Sequence, residues 1–283
     1  MHTESVKKSN YSPLVTIYMP THNRLSDLKR AISSVLSQTY EHWELIIVDD
    51  GSKDGTHDYL QSLKNEKIRF FRHETPQGAC ASRNLAINNA KGEFITGLDD
   101  DDEFTPDRLS SFISAWQDKY SFLCTPVTVC KGNTKKDHLF FIGEINLQDL
   151  LVVNKVGNQI FCKTDELRSI GGFDKSFKAW QDYDTWVRFT ARYGTGLKLP
   201  SSTYLQYEND ASFSITRSPN RLIGFNQFVD KHRHLMNTSQ IRAMQCWEKI
   251  IQGKWIPLRK LLLANKAILK YSILHNLKLI MGR

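Results

Sequence analysis

Four consecutive aspartates, Asp99-Asp100-Asp101-Asp102, are the part of this sequence that most needs a chemical reason. Like charges held side by side repel. A divalent cation removes that cost, because carboxylates are hard oxygen ligands for Mg2+ or Mn2+. The run directly follows the β-rich stretch Glu93-Phe-Ile-Thr-Gly-Leu98. Along an extended chain alternate side chains point the same way, which pairs Asp99 with Asp101. Mg2+ held by one or two carboxylates completes its shell with water and substrate phosphates, so the pattern suits a nucleotide diphosphate. The plain alternative is a solvated acidic turn ahead of a helix near Pro106, and an isolated Asp-x-Asp has low specificity. A second acidic turn, Asp49-Asp50-Gly51-Ser52, either caps the next helix or offers a carboxylate to a base or ribose. His22, His57 and His73 stand on separate segments without ligand spacing. Cys80, Cys124, Cys130, Cys162 and Cys246 contain no CxxC pair, so reduced, partly buried thiols are expected rather than a zinc site or dithiol.

These groups need a scaffold, and the flanking pattern describes one. Strands are expected at Leu14–Met19 (stopped by Pro20), Trp43–Val48, Lys67–Phe71 and Glu93–Leu98. Between them lie helical patterns. One is capped by Ser26, with Leu28, Ile32, Val35 and Leu36 on one face. A short one is capped by Thr56, and another runs from Gly78 to Ala90. Thr105-Pro106 starts a further helix, with Thr as cap and Pro at the first helical position. Asp184 to Tyr193 reads as a helix with Trp186, Phe189 and Tyr193 inward. Strand–helix alternation implies an α/β fold, a mostly parallel sheet with helices on both faces and right-handed connections. Ligands of such sheets bind beyond the carboxyl ends of the strands. That gathers Pro20-Thr21-His22-Asn23-Arg24, Asp49–Ser52 and Asp99–Asp102 on one edge.

Composition bounds the rest. With 283 residues, 40% hydrophobic and 11% aromatic, the chain can bury a sizeable core. The longest stretch without a charge, Ser9 to Asn23, is 15 residues and mixed in polarity, too short to span a bilayer as a helix. The opening MHTESVKKSNYSPL has no apolar core of a secretory signal, so a cytoplasmic location is expected. Net charge is +8, and the last 36 residues hold eight basic residues and one acidic, so nearly all the excess lies there. That tail, KWIPLRKLLLANKAILKYSILHNLKLIMGR, has two readings. It is a helical pair packed on the main domain, or an interfacial anchor drawn to anionic lipid at about 1 kcal/mol per cation. No aromatic-plus-basic stacking motif or recognised module points to nucleic acid as a partner.

Five segments in order carry more than any of them alone: VTIYMPTHNR (15–24), IVDDGSKDGT (47–56), GACASRN (78–84), GEFITGLDDDD (92–102) and GGFD (171–174) followed by QDYD (181–184). Together they resemble the family-2 glycosyltransferases, inverting nucleotide-sugar-dependent enzymes of the GT-A fold. The resemblance covers residues 12–217, leaving 218–283 as a helical, basic extension able to associate with a membrane. It is closest to the bacterial cytoplasmic transferases that build exopolysaccharide and O-antigen repeat units, the colanic-acid branch above all. It implies that Pro20 to Arg24 form the first nucleotide-contacting loop and that Asp50 faces uracil or ribose. Arg83 would flank the pyrophosphate, with Asp100 beside it in the donor site. Asp99 and Asp101 take the outer positions of the Asp-x-Asp signature, Asp101 being the direct ligand of Mn2+ or Mg2+.

Asp182 corresponds to the catalytic base, preceded by Gln181 where the family usually has glutamate. Taken alone, Asp182 also reads as a helix N-cap. Trp180 either stacks on an acceptor sugar, beside Gln181, or belongs to the core, and Glu208 to Thr216 matches a loop that closes over the diphosphate. The implied reaction moves a hexose from a UDP-sugar, with UDP-glucose and a β-linkage favoured. The implied acceptor is a lipid-linked saccharide of the GlcNAc-diphospho-undecaprenol type, at the inner face of the cytoplasmic membrane. A silent scaffold of the same fold is disfavoured by the intact Asp101 and Asp182. A sugar nucleotidyltransferase is disfavoured because Pro20–Arg24 lacks the glycines of its phosphate loop.

Overall fold

A computed structural model describes residues 12–138, 141–208, 220–262 and 266–281. The first hundred residues alternate as expected: β1 (Val15–Thr21), α1 (Leu25–Leu36), β2 (Trp43–Asp49), α2 (Thr56–Ser62), β3 (Ile68–Arg72), α3 (Ala79–Asn89) and β4 (Phe94–Gly97). Then follow β5 (Glu103–Phe104), α4 (Arg108–Ala115), β6 (Phe122–Cys124), β7 (Val127–Lys131), β8 (Thr134–His138), β9 (Gly143–Ile145), α5 (Leu147–Leu150) and β10 (Phe161–Lys163). α6 (Thr164–Ser169), α7 (Gln181–Tyr193), β11 (Gly196–Lys198) and β12 (Tyr204–Tyr207) precede the C-terminal helices α8 (Asn220–His232), α9 (Thr238–Ile251), α10 (Leu258–Leu262) and α11 (Lys266–Ile280).

The main sheet has the order β3-β2-β1-β4-β10-β6-β11-β9. Its first four strands are parallel, and β10 runs antiparallel between β4 and β6. Near-continuous apolar runs suit strands covered on both faces, and the period of two divides them between two cores. Val15, Ile17 and Met19 of β1 with Leu45 and Ile47 of β2 meet α1 and α4. Tyr18, Ile46 and Val48 meet α3 and α7 on the opposite face.

Several local expectations shift for physical reasons. β1 runs through Pro20 instead of stopping there. Tyr18 O accepts from Leu98 on the β4 side, so Pro20, two residues on, turns its missing N–H toward the same side, beyond the end of β4. Ser26 does not cap α1, because Asp54 reaches across from the β2–α2 loop and accepts from Leu25 N–H at 2.9 Å. Leu36 is exposed, and Ala31 takes the inward place beside Leu28, Ile32 and Val35. α4 begins at Arg108 instead of Pro106, with Thr105 O accepting from Arg108 N–H. A second sheet, β5-β12-β7-β8, was not anticipated; its strands are short and β8 is exposed along its length. Among the described residues no helix is long and apolar enough to cross a membrane. The C-terminal helices are anchored by packing: Phe225 and Phe228 of α8 join the α7 core, while α9 and α11 share a small cluster with Val152.

Candidate active site

The parallel order brings three strand ends together. β1 and β2 pair as far as Thr21 and Asp49, and Asp50 N–H donates to Thr21 O. β4 lies on the other side of β1, ending at Gly97. A Cβ at Gly97 would collide with the Tyr18 ring and Gln159 Oε1, so only glycine lets the chain leave the sheet into Asp99–Asp102.

Arg24, at the first residue before α1, donates from Nη1 to Asp100 Oδ1 at 3.0 Å and Asp101 Oδ2 at 2.6 Å. The loop it occupies is built by its neighbours. Asn23 adopts a left-handed conformation (φ 51°), its N–H donates to Ser52 Oγ, and its Oδ1 accepts from Lys53 N–H. His22 donates from Nδ1 to Asp50 O at 2.7 Å. Arg30 donates to Asp101 O at 2.6 Å. The first loop and the acidic run are therefore one unit.

Burial is the main cause that pushes Asp100 up to about 6, with Arg24 opposing it and Asp101 and Asp99 adding to it. Burial and the neighbouring carboxylates raise Asp101 and Asp102 in the same way. Asp100 Oδ2 is buried without a hydrogen-bond partner among the described residues. Such crowded, desolvated carboxylates are short of positive charge, and a hard divalent cation completed by phosphate oxygens fits them. Among the described residues no group of three or more side chains forms an all-protein metal cage.

Asp50 is more engaged than a free base or ribose contact would be. Its Oδ1 accepts from His73 Nδ1 and Gln77 N–H at 2.8 Å each, and its Oδ2 from Gly78 N–H at 2.7 Å. Burial opposes its charge, and these donors outweigh it, holding Asp50 below the usual carboxylate range. Asp50 thus ties the start of α3 to the end of β2. His22 and His73 meet on it as hydrogen-bonding groups, not as metal ligands.

α3 carries Arg83 inward, only 7% exposed, onto the face of Phe173. Its Nη2 donates to Asp99 Oδ1 at 2.8 Å, and its Nη1 stands 3.7 Å from Asp182 Oδ1. Arg83 Nε and Nη1 and Asp182 Oδ1 are buried without hydrogen-bond partners among the described residues. Arg83 is thus paired with Asp99 and, more loosely, with Asp182, and its Nε and Nη1 carry donors that no hydrogen bond uses. Burial opposes its charge, yet Asp99 and Asp182 raise its pKa overall.

Asp182 lies inside the first turn of α7. The cap position belongs to Trp180 (φ 69°), and no side chain caps the helix, so the N-cap reading of Asp182 is set aside. Burial raises Asp182 to about 6, with Arg83 lowering it and Asp99 raising it. Trp180 packs on Tyr183, Phe225 and Phe228, with ring centroids 5.3–5.5 Å apart. It is half-buried and packs against the core. Gln181 is half-buried beside it, and its carbonyl accepts from Thr185 Oγ1. Of the loop Glu208–Thr216, residues 209–216 lie outside the described residues.

The supports of this site carried little signal in sequence. Gln159 accepts from the Tyr18 hydroxyl at 2.6 Å and turns its amide toward Asp99 Oδ1 at 3.4 Å. The Tyr204 hydroxyl accepts from Asp99 N–H, and Arg108, wholly buried and lowered to about 10 by burial, lies against the Tyr204 ring. Asp184, fully buried, accepts from Arg188 Nε, Lys231 Nζ and His232 Nε2 at 2.8–2.9 Å. Arg188 in turn donates to Ile170 O and Gly172 O, and Asn84 brackets Phe173 through its N–H and carbonyl. Only the Asp184–Arg188 pair, four residues apart on a helix, had a spacing that could have flagged it.

The glycosyl transferase family 2 model matches residues 16–166, just over half of the 283. This chain belongs to glycosyl transferase family 2. The match includes Arg24, Asp50, Arg83 and the four aspartates, while Asp182 falls beyond it. The transferase is 38% identical over 230 residues to the putative colanic acid biosynthesis glycosyl transferase WcaA of Escherichia coli, covering 78% of this chain and 82% of the relative. Its GT-A fold is shared by S. aureus TarS 1-349 in complex with UDP-GlcNAc (TM-score 0.60, 16% identity, 95% and 92% of the two chains). It is shared as well by the Pyrobaculum calidifontis mannosyltransferase PcManGT in complex with GDP-Man and Mn2+ (TM-score 0.62, 16% identity, 97% and 77%).

Proposed function

We propose that this transferase moves a hexose from a UDP-sugar to a lipid-linked saccharide during bacterial surface-polysaccharide synthesis, with inversion at the anomeric carbon. UDP-glucose, a β-linked product and a GlcNAc-diphospho-undecaprenol-type acceptor are the favoured chemistry. The relative named for colanic acid supports the pathway class, and the structural neighbour bound to UDP-GlcNAc supports the donor class. In this reading residues 12–217 carry the transfer and 218–283 form the extension, and the enzyme works at the inner face of the cytoplasmic membrane, where such an acceptor is held.

One observation carries the reading most: Arg83 lies between Asp99 and Asp182 with unused donors on the Asp182 side. The donor's diphosphate would be received by Arg83 and by the loop of Arg24. Mn2+ or Mg2+ held by Asp101 and Asp99 would neutralise charge on the departing diphosphate. Asp182 takes the proton of the acceptor hydroxyl as its oxygen attacks the anomeric carbon. The bond from that carbon to the diphosphate oxygen breaks, and UDP leaves with the electron pair. A single in-line displacement of this kind inverts configuration and needs no second carboxylate nucleophile. An Asp182 with a pKa near 6 is ionised at neutral pH yet basic enough to accept the proton.

The test is nucleoside-diphosphate release from a panel of UDP- and GDP-sugars with a synthetic GlcNAc-diphosphate-lipid acceptor. Release from one UDP-hexose that depends on the acceptor supports the reading. Release only from a GDP-sugar, or transfer only to a water-soluble acceptor, overturns its donor or acceptor half.

A further inference from the structure

Helix α11 is built inside out. Its inward side holds Ile268, but also Ser272 and Asn276, both buried. Asn276 accepts from Ile256 N–H at 3.0 Å and donates to Ile256 O at 2.9 Å, so it serves as a clamp for the chain that precedes α10. The outward side holds Ile273, Leu274, Leu277, Ile280 and Met281, each between 44% and 69% exposed. At about 100° per residue these five share one arc of roughly 120°, with Ile268 opposite its centre, Ser272 on the far side and Asn276 about 40° beyond its edge. Buried polar groups beneath an exposed apolar stripe are the reverse of an ordinary surface helix. Trp255 and Leu258, 52% and 69% exposed, flank the clamped segment, and His275 donates to Lys254 O beside them.

The charge around this stripe is of one sign. Lys270 lies within the arc and Lys278 at its edge, both exposed, and Lys254 and Arg259 beside Trp255 and Leu258 are exposed as well. From residue 248 onward the chain has a single acidic residue, Glu248. An apolar stripe set among cations fits a surface that is apolar beneath and anionic on top. A second copy would bring its own cations against these.

We propose that the outward face of α11, with Trp255 and Leu258, seats the protein on the anionic lipid surface of a bilayer. The side chains enter the interface while Lys254, Arg259, Lys270 and Lys278 pair with headgroups. The helix lies on the membrane and does not cross it, consistent with the lack of a spanning helix among the described residues. The inference deepens the lipid-linked-acceptor reading without depending on it.

The experiment is co-sedimentation of the full chain with phosphatidylglycerol/phosphatidylcholine vesicles and with pure phosphatidylcholine, without donor or acceptor. The protein is expected to pellet with the anionic vesicles, and raised salt is expected to weaken this. Lys270→Glu with Lys278→Glu should weaken binding tenfold or more, on the order of 1 kcal/mol per cation. Ile273→Ser with Leu277→Ser and Ile280→Ser should abolish it, with circular dichroism showing that the fold is kept. Full-chain protein that stays in the supernatant overturns the proposal. So does a dimer in light scattering that these serine changes dissociate, because the face then belongs to a second copy. Vesicle binding with no sugar transfer to any lipid acceptor would sink the acceptor reading and leave this one standing.

Discussion

At the residue scale, the proposed base, Asp182, is tuned by its surroundings. Burial is the largest influence on Asp182 and raises it to about 6. The ionised form is the one that accepts a proton, so kcat/KM should fall tenfold per pH unit below about 6 and level off above it. A pH–rate profile checks this. Arg83 lowers the Asp182 pKa, so removing the guanidinium should move that acid limb upward. In the residual activity of Arg83→Met, the limb is therefore expected at higher pH, together with weaker UDP binding. An unchanged limb would separate Arg83 from the base. Lysine should not rescue this site, because a point charge cannot serve Asp99 and a second anion from one planar fork. Much of this scale was legible in sequence. Asp99–Asp102, Asp50 and Arg24 follow strand ends, and strand ends of a parallel sheet meet. The Asp184 partners Lys231 and His232 were not legible, since they come from a helix 47 and 48 residues away and only packing joins them.

At the element scale, the proposed base is only as well placed as α7. Its buried Asp184 joins α7 to α8 through Lys231 and His232 and, through Arg188, reaches the Gly171–Phe173 turn that supports Arg83. Asp184→Ala leaves these donors uncompensated and should cost about 3 kcal/mol in urea unfolding, toward the lower end for buried pairs because Lys231 and Arg188 are partly exposed. Gly97→Ala should cost about 2 kcal/mol, because the new methyl meets Tyr18 and Gln159 inside a packed core. Calorimetric melting of the variant checks that value. The strands β1, β2 and β4 were readable because their apolar runs are nearly continuous, each interrupted by a single polar residue, Thr16, Glu44 or Thr96. β5, β7, β8 and β12 were not, because strands of two to five residues, one of them fully exposed, leave no periodic trace. α11 misleads in a different way. Leucine and isoleucine occupy much of its circumference, and the buried Ile268 and Ser272 with the clamp of Asn276 on Ile256 show which side faces in.

At the scale of the whole molecule, one edge of the sheet gathers the donor-side groups, and the C-terminal helices close in behind α7. Phe225 meets Trp180 edge-on and Phe228 stacks on Tyr183, the residues on either side of Gln181 and Asp182. Truncation after residue 217 is therefore expected to lower stability as well as remove lipid binding, which limited proteolysis and melting curves would show. Chelation is expected to abolish transfer reversibly, with Mn2+ or Mg2+ restoring it, because the crowded carboxylates of Asp99–Asp102 are short of positive charge. The measurement that tests the central claim most directly compares the wild type with Asp182→Asn in two assays: acceptor-dependent UDP release at neutral pH, and calorimetric binding of UDP with Mn2+. The variant should bind UDP within about twofold of the wild type and transfer at least ~100-fold more slowly, the range for loss of a general base. Transfer by Asp182→Asn at the wild-type rate would contradict the account and remove Asp182 from the mechanism.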